Sequence, residues 1–159
     1  MINRRNLLLV STAVPALALV TATFMPMDDA WAGQAIFTGS TDGIAINGYD
    51  PVAYFKQNAP VEGSADYTTL YKGVTWRFSS AENRDLFIAD PEKYEPQYGG
   101  YCAYAVAKNQ LAKTEPDAFS IVDGKLYLNF DKPVRSIWEA EKGSFIVQGD
   151  ANWPDLNPG

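Results

Sequence analysis

The sequence contains no histidine and only one cysteine, Cys102. A single cysteine cannot form a disulfide framework within the chain. The lack of histidine excludes a His-dependent catalytic triad and a histidine metal site. The methionines, Met1, Met25 and Met27, all lie near the amino terminus. Cys102 is therefore the only soft metal ligand in the rest of the chain.

Positive charge is also scarce, with 13 Lys and Arg against 19 Asp and Glu and a net charge of -6. No run of basic residues forms a cationic patch, and proteins that bind nucleic acid need one to displace counterions. Nucleic acid is therefore excluded as a partner. The sequence also lacks glycine-rich nucleotide loops, G-x-S-x-G and H-E-x-x-H. We expect a binding protein and not an enzyme.

Residues 1–32 have the pattern of an export signal. Arg4 and Arg5 precede an apolar stretch, and Ala30-Trp31-Ala32 is a small-x-small cleavage site before Gly33. The paired arginines indicate the twin-arginine type. The alternative is a membrane anchor, because the apolar stretch is about long enough to span a bilayer. We expect a cleaved signal and a periplasmic or otherwise exported protein, which would contact a membrane only if the signal stayed attached.

The rest of the chain is predicted to be one domain. Residues 33–43 are rich in Gly, Ser and Thr and predict a flexible leader. The domain itself is expected over 44–155, followed by a loose tail at 156–159. The sequence shows no internal repeat and no second domain. A chain of this length can bury a sufficient core without a metal or disulfides.

The pattern of turns and apolar residues predicts antiparallel hairpins packed with short helices. Turn dipeptides separate two hairpins, 67–71 with 74–78 and 118–122 with 125–130. Asp50, Ser79 or Ser80, and Asp131 are candidate helix caps. A strand is expected at 44–46, and short helices are expected at 52–55, after Ser80, after Asp90-Pro91, within 97–108, after Asp131 and at 145–153. The fold class is therefore a small single α+β domain.

Several motifs resemble the YHS domain and, more closely, exported bacterial proteins that carry it. The hairpin and helix stand as Tyr71 to Ser80, then Phe87, then Asp90-Pro91-Glu92-Lys93-Tyr94. Four further motifs match those of the same exported proteins, and together they cover about residues 44–155. They are GYDPVAYF at 48–55, GGYCAY at 99–104, DGKLYLN at 123–129 and ANWP at 151–154. The resemblance implies a YHS-like α+β fold.

The resemblance also implies a link to metal handling, because YHS domains occur in heavy-metal transport proteins where cysteines bind the metal. In this chain Ser79 and Ser80 stand where cysteine is common in such members. A copper or other heavy-metal site would therefore depend on Cys102. A Cu(I) or Zn site needs two to four soft ligands, so it would require a second chain or oxygen ligands.

Tyrosines are dense around two of these motifs. They and one carboxylate could line a pocket with an apolar wall and several hydroxyls, or hold a hard cation such as Fe(III) or Ca(II). The simpler alternative is a core in which each ring is buried and each hydroxyl stays wet, with Asp50 as a helix cap. The candidate ligand-binding residues are Tyr49, Asp50, Tyr54, Tyr98, Tyr101 and Tyr104.

Cys102 has three interpretations. It is a small buried residue, the site of an intermolecular disulfide or metal bridge in a homodimer, or a reactive thiol. The leading functional hypothesis is an exported protein that binds a metal ion or small ligand without catalysis. The alternatives are a structural interaction module without metal and, last, an enzyme that uses a thiol or tyrosine. The identity of the cofactor or ligand stays open.

Overall fold

A computed structural model of the protein describes residues 34–41 and 43–157. The predicted signal at 1–32 lies outside the described residues, as do Gly33, Asp42, Pro158 and Gly159. Within the described residues the chain forms short helices and two small antiparallel sheets. This arrangement confirms the predicted α+β class. No described helix has the length and apolar character needed to cross a bilayer.

The first half of the domain is built around one hairpin. A 3₁₀ segment (Ala45–Gly48) leads into α1 (Pro51–Gln57), which is followed by β1 (Ser64–Tyr71), β2 (Val74–Phe78), α2 (Ala81–Ala89) and α3 (Pro91–Tyr94). Lys72 and Gly73 both have positive φ in the turn between the strands, as a two-residue hairpin turn requires. Ser80 caps α2 by accepting a hydrogen bond from the Asn83 N–H.

The second half follows the same order. A second 3₁₀ segment (Gln97–Gly100) leads into α4 (Ala103–Ala107), then β3 (Phe119–Val122), β4 (Lys125–Leu128), α5 (Lys132–Ala140) and α6 (Lys142–Leu156). Asp123 and Gly124 form the two-residue hairpin turn, again with positive φ. Asp131 caps α5 through the Val134 N–H.

The two halves share one local arrangement, which the sequence, with no evident internal repeat, did not predict. In the first half Ile44 bridges Thr75, and the Asp50 N–H donates to the Val61 carbonyl. In the second half Pro96 bridges Leu126, and the Cys102 N–H donates to the Ala112 carbonyl. The bridges therefore connect the start of each 3₁₀ segment to its own hairpin, and the hydrogen bonds connect the residue before each helix to the loop that follows that helix.

Each half also contains an aromatic pair in which a residue of the second strand of the hairpin packs against a residue of the helix that follows it. Trp76 of β2 lies 5.0 Å from Phe87 of α2, between ring centroids, with the planes at 32°. Tyr127 of β4 lies 5.0 Å from Trp138 of α5 with the planes at 36°. The residue types in the two pairs differ, while the centroid distance is the same and the interplanar angle is nearly the same. In sequence the two halves share short matches at equivalent positions, such as Gly48-Tyr49 and Gly100-Tyr101, which are too brief to identify a repeat.

The amino-terminal part of the domain differs from the prediction in two ways. Ile44 makes one isolated bridge, and Ala45–Gly48 is a 3₁₀ segment in which Ile46 has φ 42°, so no strand forms at 44–46. The leader is not loose at Ile36–Thr38, because these three residues are buried. The Phe37 N–H donates to the Gly99 carbonyl, and its carbonyl accepts from Ile46.

The segment at 97–108 is not one helix. The 3₁₀ segment ends at Gly100, the backbone is extended at Tyr101, and α4 begins only at Ala103. Gly99 has φ 59°, and a Cβ there would lie 2.0 Å from the Ala35 carbonyl oxygen. The close approach of the amino-terminal segment therefore interrupts the helix. Tyr101 and Tyr104 do not share a helical face.

The last helix is longer than predicted, because α6 runs through Gly149 and Pro154 to Leu156. The tail predicted at 156–159 is therefore helical at Leu156. Asn152 of α6 donates to the Val106 and Ala107 carbonyls at 3.0 and 3.2 Å, which satisfies the carboxyl end of α4. α6 thereby closes over the second half of the domain.

Candidate functional site

The predicted tyrosine cluster divides between the two halves of the domain. Tyr54 is buried in the first-half core, with Tyr49 packed against that core. Tyr98 and Tyr101 belong to the core of the second half. Tyr104 packs against that core and against the small buried group around Cys102. In the part of the chain that the structure describes, the predicted ligand-binding residues are therefore divided between separate core clusters.

Asp50 is a structural hub. Its side chain is fully buried, and Oδ1 accepts from the Val52 and Ala53 N–H groups at 2.8 and 3.2 Å. Oδ2 accepts from the Ser79 N–H at 2.8 Å, the Ser79 hydroxyl at 2.7 Å and the Asn83 amide at 2.7 Å. These five donors occupy the carboxylate, so Asp50 caps α1 and joins it to the end of β2.

Tyr54 and Tyr49 also have structural partners. The Tyr54 hydroxyl donates to the Pro116 carbonyl at 2.9 Å, and burial strongly raises its pKa. The Tyr49 hydroxyl lies 3.5 Å from Glu62. Burial raises the pKa of Tyr49, and the negative charge of Glu62 raises it further. Both hydroxyls therefore have partners within the protein, which makes these phenols poor candidates for ligands of a hard cation.

Cys102 is a fully buried free thiol. Burial raises its pKa to about 11, although hydrogen bonds from the Ala105, Phe130 and Tyr104 backbones act in the opposite direction. Its Sγ lies 3.8 Å from Oδ1 of Asn129. A buried, protonated thiol is unreactive and cannot reach a second chain. This geometry favours the interpretation of Cys102 as a packed core residue.

An open groove of about 710 Å³ lies between the second 3₁₀ segment and the end of α6. Five parts of the chain contribute to it: the amino-terminal segment, the turn of the first hairpin, the start of β4, the 3₁₀ segment with its approach, and α6 with the residue after it. The lining residues are Ala35, Ile36, Lys72, Glu95, Pro96, Gln97, Tyr98, Gly99, Lys125, Asp150, Trp153, Pro154 and Asn157. Of the predicted site residues, Tyr98 alone lines this groove.

Two polar pairs are built into the groove wall. The Tyr98 hydroxyl donates to Asp150 Oδ1 at 2.9 Å. Burial strongly raises the Tyr98 pKa, and the hydrogen bond to the Asp150 carboxylate and its charge raise that pKa further. Lys72 Nζ lies 2.9 Å from Glu95 Oε2. Burial lowers the Lys72 pKa, but Glu95 more than offsets that effect and the net direction is upward. The Glu95 side chain is only 14% exposed.

Trp153 provides the aromatic wall. It is half-buried, with its ring 5.9 Å from Tyr98 and 6.2 Å from Tyr101 between centroids. The Tyr101 hydroxyl donates to the Gln34 carbonyl at 2.9 Å and so holds the amino-terminal segment beside the groove. Tyr101 thus supports the groove wall, while Tyr104 packs edge-on against Phe145.

Sequence reasoning missed Lys72, Glu95, Asp150 and the role of Trp153 as a wall. These residues are far apart along the chain, and each follows an ordinary local pattern. Only the tryptophan offered a signal, because it lies in the ANWP motif at 151–154. Its contacts with Tyr98 and Tyr101 pack one part of the ring against the core.

Metal-binding groups were sought among the described residues, and no cluster of three or more Cys, Asp or Glu side chains could hold an ion there. Comparison of the chain with family models, with curated proteins and with solved structures found no match. The groove geometry is therefore the basis on which a function is proposed.

Proposed function

We propose that the protein is an exported, YHS-like binding protein that takes up a small molecule in the groove beside Tyr98, Asp150 and Trp153. The observation that carries the proposal is the groove itself. Its volume is in the range of small-molecule sites, and it combines an apolar wall with a few placed polar groups. The polar pairs are held by hydrogen bonds within the protein, so the wall is largely formed before a ligand arrives.

The proposal places a small molecule, and not a metal ion, in this protein. The deep burial of Cys102 weighs against a metal bridge through its sulfur. The five donors around Asp50 weigh against that carboxylate as a metal ligand. The proposal also includes no catalytic step, because Lys72 is paired with Glu95 and the Asp150 carboxylate accepts a hydrogen bond from the Tyr98 hydroxyl.

A thermal-shift screen tests the binding proposal. A ligand that binds only the folded protein raises the melting temperature with concentration. We expect hits from a library of polar small molecules to stabilise the parent protein, and Asp150→Arg to abolish the shift by filling the groove. Asp155→Arg is the matched control, since it makes the same change on the same helix outside the groove lining. Equal shifts in both variants would refute the proposed site.

Export is tested separately. We expect fractionation to place the protein outside the cytoplasm and its mature amino terminus to be Gly33. Replacing both Arg4 and Arg5 with lysine should strongly reduce export, because the twin-arginine route reads that pair. A mature chain that retains residues 1–32 would instead support the membrane-anchor alternative.

A further inference from the structure

We infer that the groove takes a neutral sugar, either a single pyranose or a short oligosaccharide. This inference rests on the proposed small-molecule function and specifies its ligand class. It is carried by three features of the lining: its balanced charge, the types of its polar groups and the partly exposed indole of Trp153.

The charge of the lining is balanced. The lining contains Lys72 and Lys125 together with Glu95 and Asp150, which gives two positive and two negative groups. Lys72 and Glu95 neutralise each other at 2.9 Å. A site for a phosphate or a di-acid needs a cationic excess, and a cation site needs clustered carboxylates. Neither condition holds in this groove, so a neutral ligand fits the lining best.

The polar groups suit hydroxyls. The carboxylate of Asp150 only accepts hydrogen bonds, the ammonium of Lys125 only donates, and the carboxamide of Gln97 does both. A sugar hydroxyl donates and accepts at once, so neighbouring hydroxyls on one ring can bond such a mixed set. Among the described residues no ion pair involves Lys125, which leaves its charge available for hydroxyl oxygens.

The aromatic wall suits the apolar faces of a sugar ring. A pyranose carries its hydroxyls around the rim and exposes C–H groups on its faces. Trp153 offers an indole beside Pro96 and Pro154, while its contacts with Tyr98 and Tyr101 fix the ring. A large, rigid aromatic side chain gives contact area at low entropic cost. The open mouth of the groove leaves room for a second sugar unit.

Tryptophan fluorescence provides a direct test. The chain has four tryptophans, of which Trp76 and Trp138 are fully buried and Trp153 is partly exposed. The mature protein proposed above begins at Gly33 and lacks Trp31, so acrylamide quenching in it reports chiefly on Trp153. The probes are glucose, galactose, N-acetylglucosamine and their β-1,4-linked dimers and trimers. We expect at least one of these sugars to shift the emission saturably and to protect Trp153 from acrylamide.

Variants then locate the contact, with binding of the same sugars measured by calorimetry. Asp150→Asn and Lys125→Gln should each weaken binding about fivefold to tenfold, and Trp153→Ala about tenfold or more. Asp155→Asn is the matched control and should bind like the parent. Trp153→Phe keeps an aromatic wall and should retain part of the affinity, so it separates loss of the wall from a folding defect.

A second set of probes separates this inference from the general proposal. Zwitterionic amino acids, phosphate and small di-acids are titrated under the same conditions. If only charged probes bind and Asp150→Arg abolishes that binding, the sugar inference fails while the groove remains a binding site. If no library compound, sugar or charged probe binds the groove, both the sugar inference and the proposed function fail.

Discussion

Asp50 shows how one buried charge can organise a small domain. An ionised carboxylate is costly to bury unless hydrogen bonds replace its water. Here the amino end of α1 supplies two N–H donors, and the segment after β2 supplies three more. The cap therefore joins two elements that are distant in sequence. A helix cap made by the first two donors alone would leave the second oxygen unsatisfied.

We expect Asp50→Asn to destabilise the protein by about 3 kcal/mol, because the amide nitrogen would face donors and the charge that attracts them would be lost. Urea unfolding of both proteins measures the loss. Asp66→Asn is the control, since Asp66 is exposed on β1 and should change stability by less than about 0.5 kcal/mol. Equal effects of the two substitutions would contradict the hub role.

Cys102 occupies the position in the second half that Asp50 occupies in the first. Each directly precedes a helix, but the Asp50 carboxylate caps α1 through the Val52 and Ala53 N–H groups, whereas Cys102 makes no capping side-chain hydrogen bond to α4 and the Tyr104 N–H donates to Asn129 Oδ1. The thiol, however, is neutral because burial raises its pKa to about 11. The repeat therefore holds a charged group in one half and an uncharged group in the other.

The native thiol should react with Ellman's reagent at pH 8 on the order of 100-fold more slowly than the unfolded chain, because reaction requires exposure and a thiolate. Absorbance at the released chromophore follows the rate. The same protein in guanidinium should show one rapidly reacting thiol. Fast, complete labelling of the native protein would mean that Cys102 is accessible and would revive the bridge or reactive-thiol interpretation.

At the scale of elements, α6 determines the shape of the groove. Gly149 lets the helix pass directly over Tyr98, because a Cβ at that position would lie 2.6 Å from the Tyr98 hydroxyl oxygen and 2.8 Å from its Cζ. Asp150 follows on the same helix and accepts the hydrogen bond from that hydroxyl. The glycine that weakens the predicted helix is thus what allows the helix to pack and the polar pair to form.

Two glycine substitutions in α6 test this contact. Gly149→Ala should destabilise the protein by about 1–3 kcal/mol, since the clash outweighs the gain in helix propensity. Gly143→Ala should stabilise it by about 0.5–1 kcal/mol, because a Cβ there meets nothing within 4 Å. Denaturant midpoints compare the two variants. A stabilising effect at both positions would show that α6 does not press against Tyr98.

At the scale of the whole molecule, buried acids dominate the response to alkaline pH. Burial raises the Cys102 pKa from 9.0 to about 11 and the Tyr101 pKa from 10.0 to about 12. It also strongly raises the pKa values of Tyr54 and Tyr98. In each case the unfolded chain loses its proton at a lower pH than the folded protein does. Rising pH therefore favours the unfolded state over this range.

We expect the free energy of unfolding to fall steadily between about pH 9 and pH 12, starting with the thiol and continuing with the phenols. Urea unfolding at fixed pH steps measures the slope. Cys102→Ala should make the decline shallower between about pH 9 and pH 11 and leave the decline above pH 11 in place. A stability that stays constant up to pH 11 would show that these groups are not buried as described.

Local chemistry in the sequence determined the elements of this fold. Turn dipeptides placed both hairpins, and cap residues placed the starts of α1, α2 and α5, because each of these signals acts within a few residues of itself. Cap chemistry also predicted Asp50 as the cap of α1. It did not predict the three further hydrogen-bond donors of the Asp50 carboxylate. The α+β class follows from the order of those elements.

Only the tertiary structure decided which residues meet. The amino-terminal segment is buried because Phe37 pairs with the backbone of two distant segments, which no local pattern encodes. The repeat is a repeat of contacts between different side chains, and the groove brings Lys72, Glu95, Tyr98, Asp150 and Trp153 together from separate elements. Packing, burial and charge pairing depend on distances in space, and the spacing of residues along the chain does not set those distances.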